Sequence, residues 1–199
     1  MKILYLGPPR ERLILHICSL GDDLVQTEEN VNVQTDFTKD IDMIVSYGYR
    51  HILKPDLIDR FPNRIVNLHI SLLPWNRGAD PIVWSFLEDS PKGVSIHYID
   101  RGIDAGAILA QEELHFANSE TLSGSYGKLS LLVENLFVRS WADIKAGKMQ
   151  ARPQAGTGSF HQATDLQPYL SLLTRGWDTP VIDLIGKAVI SKQEVSNVK

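Results

Sequence analysis

Three residues of this 199-residue chain have the types and spacing needed for acyl transfer. Asn67 and His69 stand two apart at the end of a strand-like run that begins Arg64-Ile65-Val66. Strand side chains alternate with a period of two, so both fall on one face of its end. Asp104 follows a second strand-like run, Val94–Ile99, in the loop Asp100-Arg101-Gly102-Ile103-Asp104-Ala105-Gly106. An amide donor can stabilise a tetrahedral oxyanion without a change of charge. An imidazole supplies a hydrogen bond or a proton near neutral pH, and a carboxylate can fix its tautomer and relay protons through water. Each residue alone has a plainer use: a turn asparagine, a hydrogen-bonded structural histidine, an Asx-turn aspartate between Gly102 and Gly106. In this order and at these separations they point to catalysis. His97, in the middle of its strand, reads as buried support more than as a proton relay.

The elements that must position these groups alternate between strand-like and helical patterns, the signature of βαβ units and a mainly parallel, Rossmann-like open sheet flanked by helices. Strands are expected at Lys2–Leu6, Asp23–Thr27, Ile41–Ser46, Ile65–His69, Val94–Ile99 and Ala107–Phe116, with a further short one at Val31–Thr35. Helices are expected at Arg10–Leu20, Pro55–Phe61 and Pro81–Leu87, the last two with proline leading as the N1 preference predicts. Leu129, Val133, Leu136, Phe137, Trp141 and Ile144 recur at steps suited to a long amphipathic helix, stopped at Gly147. On this reading the three polar residues converge where parallel strands end, the place where open α/β sheets bind ligands. The chain divides into a catalytic domain over residues 1–147 and a short C-terminal extension over 148–199. The extension holds a flexible stretch from Gln154 to Ser159 and helical candidates at Asp165–Leu173 and Pro180–Ile190. Its aromatics Phe160, Tyr169 and Trp177 either close the core or stack on a base.

Composition sets limits on function. Hydrophobic residues at 43% and charged ones at 22% suit an ordinary globular domain. The net charge of −4 argues against a surface built to grip nucleic acid. A lone cysteine, Cys18, excludes an internal disulfide and a multi-thiolate metal site. Its place in LILHICSL reads as small core packing. The apolar run Ile3–Leu6 is cut by Gly7-Pro8-Pro9, so it reads as a first strand and not as a leader. No apolar stretch reaches the ~20 residues of a membrane span, and a cytoplasmic location is expected. The same Gly7-Pro8-Pro9 turn lacks the glycine fingerprint of a dinucleotide site, and proline has no amide hydrogen to offer a phosphate.

The spacing of Asn67, His69 and Asp104, with the words SLLPWNRGADPI and GIDAG, strongly resembles the folate-dependent formyltransferases over roughly residues 41–130. Within them the chain looks most like methionyl-tRNA formyltransferase and the sugar N-formyltransferases. The resemblance implies 10-formyltetrahydrofolate as donor, no metal, no covalent enzyme intermediate, and catalysis by Asn67, His69 and Asp104. It implies a pterin pocket lined by Gly48, Tyr49, Arg50, His51, Ile52 and Leu53, with backbone groups at His51 and Leu53 on the pterin edge and Ile52 on its face. Ile99, Asp100, Arg101 and Gly102 would form the opposite wall. Ser71, Arg77, Gly78 and Asp80 would serve the acceptor, Asp80 standing where methionyl-tRNA formyltransferases read RGAAPI. Few residues follow the long helix, whereas methionyl-tRNA formyltransferases hold tRNA with a C-terminal barrel. The tail Gly158–Asp165 is similar to a stretch of sugar N-formyltransferases. The expected acceptor is therefore a primary amine on a small molecule, a nucleotide-linked amino sugar foremost, with no nucleic acid or membrane partner. Another amine acceptor (an amino acid derivative or methionyl-tRNA), a 10-formyltetrahydrofolate hydrolase and a non-catalytic folate-binding module are the alternatives.

Overall fold

The computed structural model describes residues 1–36 and 39–188. A six-stranded sheet has the order β2-β1-β3-β4-β6-β7. Its strands are β1 (Lys2–Leu6), β2 (Asp23–Thr27), β3 (Met43–Ser46), β4 (Ile65–His69), β6 (Gly93–Tyr98) and β7 (Ile108–Glu113). β2, β1, β3 and β4 run parallel, and β6 runs antiparallel to β4. The sheet is thus mixed and mainly parallel. β5 (Arg77–Gly78) and β8 (Phe160–His161) form a separate two-stranded parallel sheet. The helices are α1 (Glu11–Ser19), α2 (Pro55–Arg60), α3 (Pro81–Leu87) and α4 (Leu122–Lys145).

Contacts group the chain into two compact units, each discontinuous in sequence. The first comprises Met1–His69, Ser95–Gln111 and Val133–Gln154; the second comprises Ile70–Val94, Glu112–Leu132 and Ala155–Lys199. The segment expected as an extension therefore contributes to both. In the first unit, β1 and β3 are buried on both faces, as central parallel strands are. Leu4, Leu6, Ile44, Leu57, Phe61 and Ile65 close one layer of its core. Along α4, Val133, Phe137, Trp141 and Ile144 are buried at the spacing the sequence pattern required.

Asp22 ties α4 to the turn before β2. Lys145 Nζ donates to its Oδ2 at 2.7 Å, and the amino group of Met1 donates to Oδ1 at 3.0 Å. Burial pushes the Asp22 carboxyl up, but these two cations outweigh it and hold it below the usual carboxylate range. A carboxyl lowered on folding adds stability that is present above its unfolded pKa and lost as pH falls through the folded value. Asp22→Asn should accordingly lower the Tm by about 5 °C at pH 7. The gap from the native chain should close below the carboxylate range, and a gap that persists in acid would rule out this linkage.

Several expectations change. Val31–Thr35 forms no strand; Asn32 and Thr35 bond each other in a turn, with Asn32 N donating to Thr35 Oγ1 at 3.0 Å. Cys18 is exposed, because α1 buries Leu13 and Ile17 and the next residue turns away from that stripe. Ala163–Leu172 is a 3-10 helix; in an α-helix the ring of Pro168 inside it would clash with the carbonyl four residues back. At Pro180–Ile190 the segment opens with a 3-10 turn, Val181–Asp183, Lys187 and Ala188 are helical, and residues from 189 onward lie outside the described ones. Phe160 and Trp177 are exposed rather than core. The stretch expected to be flexible is held at both ends: Gln154 donates to backbone carbonyls at 2.7 and 3.0 Å, and Ser159 N donates to Pro74 O at 3.1 Å.

Candidate active site

Asn67, His69 and His97 stand on one face of the sheet. Asn67 and His69 share it by the period of β4, and the β4–β6 register places His97 directly opposite Asn67. Because β6 is antiparallel to β4, Asp104 does not approach from beyond the carboxyl ends of parallel strands, as expected. The loop after β6 instead doubles back, and its carboxylate meets the side chains on the face. Asp104 Oδ2 lies 3.7 Å from His69 Nδ1, and Oδ1 lies 3.6 Å from His97 Nε2 and 3.4 Å from Asn67 Nδ2. Both histidines are buried, while Asn67 and Asp104 are half-buried.

The hydrogen bonds of His97 fix the polarity of this group. Its Nδ1 lies 2.8 Å from the Tyr98 carbonyl, which can only accept, so Nδ1 carries a proton. In the neutral ring Nε2 is then an acceptor, and it takes a hydrogen bond from Asn67 Nδ2 at 3.2 Å. The Asn67 amide is thereby turned with its NH2 toward His97 and Asp104. His97, expected as buried support, is thus a direct partner of a predicted catalytic side chain. That contact was missed because the pairing of β4 with β6 is a long-range fact. Burial pushes the phenol of Tyr98 up, so it stays a neutral hydroxyl through the physiological range.

The residues expected to hold the pterin also lie in the first unit. A Cβ at Gly7 would come 2.0 Å from Tyr47 O, so glycine is required for the β1 turn to pass against this loop. Tyr49 Oη donates to Glu29 O at 2.7 Å and accepts from Val31 N at 3.1 Å, which pins the middle of the loop. Leu53 is buried in the core with Ile99 packed against it. Gly48, Arg50 and His51 are exposed, and Ile52 is 77% exposed. An exposed branched apolar side chain beside backbone polar groups suits a flat heterocycle, so these residues fit a pterin. The Arg101 side chain pairs with Asp59, its Nη2 at 2.7 Å from Oδ2, which raises the pKa of its guanidinium; the wall expected at this position is mainly backbone. Asp100 Oδ1 accepts from Gly102 N at 2.8 Å and shapes the loop.

The residues expected to serve the acceptor lie in the second unit. Ser71 Oγ donates to Trp75 O at 2.7 Å and sets the turn after Ile70. Gly78 has φ +90, and a Cβ there would meet His161 O at 2.2 Å, so the β5–β8 pairing demands glycine. Asp80 occupies the N-cap position of α3 in the left-handed region at φ +50, without a capping hydrogen bond from its side chain. Arg77 pairs through its backbone with Phe160, and its buried Nε has no hydrogen-bond partner among the described residues. Beside it, His161 stacks on Trp84 with centroids 3.7 Å apart, and Glu88 Oε2 lies 3.3 Å from its Nε2.

Residues 23–140 match the model of the formyl transferase family, described as "Formyl transferase", and the chain belongs to that family. Among curated proteins, methionyl-tRNA formyltransferase of Finegoldia magna is 36% identical over 122 residues, covering 59% of this chain and 39% of that protein. The enzyme of the same name from Heliobacterium modesticaldum is 31% identical over 143 residues, covering 71% of this chain and 43% of that protein. The chain thus spans about two fifths of the length of these relatives. Among solved structures, the formyltransferase PseJ from Anoxybacillus kamchatkensis is 49% identical with a TM-score of 0.92, covering 94% of this chain and 100% of that one. That structure contains UDP-4,6-dideoxy-4-formamido-L-AltNAc and tetrahydrofolate. A sugar N-formyltransferase from Shewanella sp. FDAARGOS_354 shares the fold, at a TM-score of 0.72 and 22% identity over 84% of this chain and 79% of that one. No helix among the described residues is long and apolar enough to cross a membrane.

Proposed function

We propose that this chain is an N-formyltransferase that places a formyl group from 10-formyltetrahydrofolate on the primary amine of a nucleotide-linked amino sugar. The observation that carries the reading is the Asn67, His69, His97 and Asp104 group, within 4 Å contacts, in a chain 49% identical to PseJ. The folate supplies an acyl carbon already bonded to nitrogen, so transfer breaks one C–N bond, forms another, moves one proton and changes no oxidation state. Asn67 Nδ2 is the donor for the oxyanion that forms as the amine adds. His69 takes the proton from the attacking nitrogen through the ring nitrogen turned away from Asp104, the carboxylate favours the imidazolium that results, and the proton passes to the folate nitrogen as its C–N bond breaks. Gly48, Tyr49, Arg50, His51, Ile52 and Leu53, with Ile99, Asp100, Gly102 and the backbone of Arg101, hold the pterin. Arg77 and Asp80 read the acceptor, Arg77 as a partner for phosphate and Asp80 for an amine or hydroxyl.

Methionyl-tRNA is the competing acceptor, because the curated relatives carry that name. Affinity for tRNA comes largely from Lys and Arg on phosphate, and here 20 such residues face 24 Asp and Glu. The test supplies 10-formyltetrahydrofolate with a UDP-linked amino sugar or with charged initiator tRNA, at physiological ionic strength, and follows tetrahydrofolate release. Release that depends on the sugar is expected. Efficient, salt-resistant formylation of tRNA would overturn the sugar assignment, and equal release with no acceptor would make the protein a hydrolase.

A further inference from the structure

Asp104 stands in the left-handed region of the backbone map, between two glycines of its loop. Its φ is +49, a left-handed backbone that L residues other than asparagine and aspartate rarely adopt. Below it, Gly106 passes so close to the strand that a Cβ would come 1.9 Å from Tyr98 O. Above it, one side chain grips the loop from a distant part of the chain: Gln154 Nε2 donates to Asp104 O at 2.7 Å and to Gly106 O at 3.0 Å. The segment before Gln154 is itself registered on β7. Arg152 N and Ile108 O, and Ile108 N and Arg152 O, pair at 2.9 and 2.7 Å, and Arg152 Nη2 donates to Gln111 Oε1 at 2.6 Å.

We propose that Gln154 is a positioning residue for formyl transfer: it clamps the Asp104 loop against the Asn67–His69–His97 face. The proposal rests on the reading that Asp104 acts in that reaction. Both partners of Gln154 are carbonyl oxygens, so the amide must present its NH2 to the loop. Its Oε1 is then buried with no hydrogen-bond partner among the described residues. A methionine of similar length would bury no unpaired acceptor there. What the position uses is therefore a pair of donors at the end of a long side chain.

Gln154→Met removes both donors and keeps the length, while Gln154→Lys restores donors without the amide. Two readouts separate positioning from general support: amide hydrogen exchange across residues 100–106, and steady-state kinetics with 10-formyltetrahydrofolate and a UDP-linked amino sugar. In Gln154→Met the loop should exchange about tenfold faster or more. Its kcat should fall about 10- to 100-fold, the cost of a misplaced reacting group, with KM for the folate within about threefold. Gln154→Lys should recover most of both. Unchanged exchange in Gln154→Met, or equal losses of kcat in both variants, would overturn the clamp. If the loop loosens on Gln154→Met while the unmodified protein transfers formyl to no amine, the clamp stands and the proposed reaction fails.

Discussion

His69→Ala is expected to lower kcat for formyl transfer about 10²–10⁴-fold, the usual range for loss of a positioned acid–base group. Folate affinity should stay within about tenfold of the native value. The separation follows from where His69 stands. It is buried at the last position of β4, with Nδ1 facing Asp104 Oδ2 at 3.7 Å. The exposed loop residues that fit a pterin, His51 and Ile52, belong to a different turn. An imidazole that neutralises charge developing on the attacking nitrogen interacts more strongly with the transition state than with bound substrates, so its loss appears in kcat. The 3.7 Å separation is longer than a hydrogen bond, as catalytic contacts often are before substrate binds. The measurement is single-turnover transfer alongside equilibrium binding of the folate. A variant that keeps native kcat with a true acceptor makes His69 a structural residue. A variant that loses folate binding in step with turnover makes it part of the pterin site.

Much of this site can be read from local pattern. The bounds of β1, β2, β4 and α3 coincide with those expected, because apolar runs of strand length and a leading proline at α3 leave few alternatives. The shared face of Asn67 and His69 follows from a two-residue period inside one strand. What pattern does not carry is pairing between distant segments. The antiparallel sense of β6 turned an expected convergence beyond strand ends into one on the sheet face, and it set His97 against Asn67. β5 and β8 are two residues each, too short to leave any periodicity. Gln154 escaped notice for a chemical reason. A side chain that bonds to backbone carbonyls is indifferent to the residue types there, so nothing in the Asp104 loop announces its partner. Gly106 did leave a signal, since only glycine lets the chain pass 1.9 Å, as a virtual Cβ, from Tyr98 O.

Asn67→Ala should reduce kcat about 10²–10³-fold, the range for loss of one oxyanion donor, and Asn67→Asp should be at least as damaging. The argument rests on the direction of the amide. With Nδ1 of His97 committed to Tyr98 O, its Nε2 accepts from Asn67, and the second Asn67 N–H points to Asp104 Oδ1 at 3.4 Å. That long bond is the weaker of the two, so its N–H is the one an oxyanion would draw away. Replacement by aspartate keeps size but offers an acceptor to an acceptor, His97 Nε2, and sets a second carboxylate beside Asp104. Like charges at such range disfavour ionisation of one of the pair, which disturbs the group that orients His69. The alanine variant removes the donor together with the side chain's volume, whereas the aspartate variant removes the donor and keeps the volume. Comparing the two therefore distinguishes a donor role from a space-filling one. A loss confined to KM, or an aspartate variant as active as the native chain, would make Asn67 a binding residue and remove the amide from the transition state.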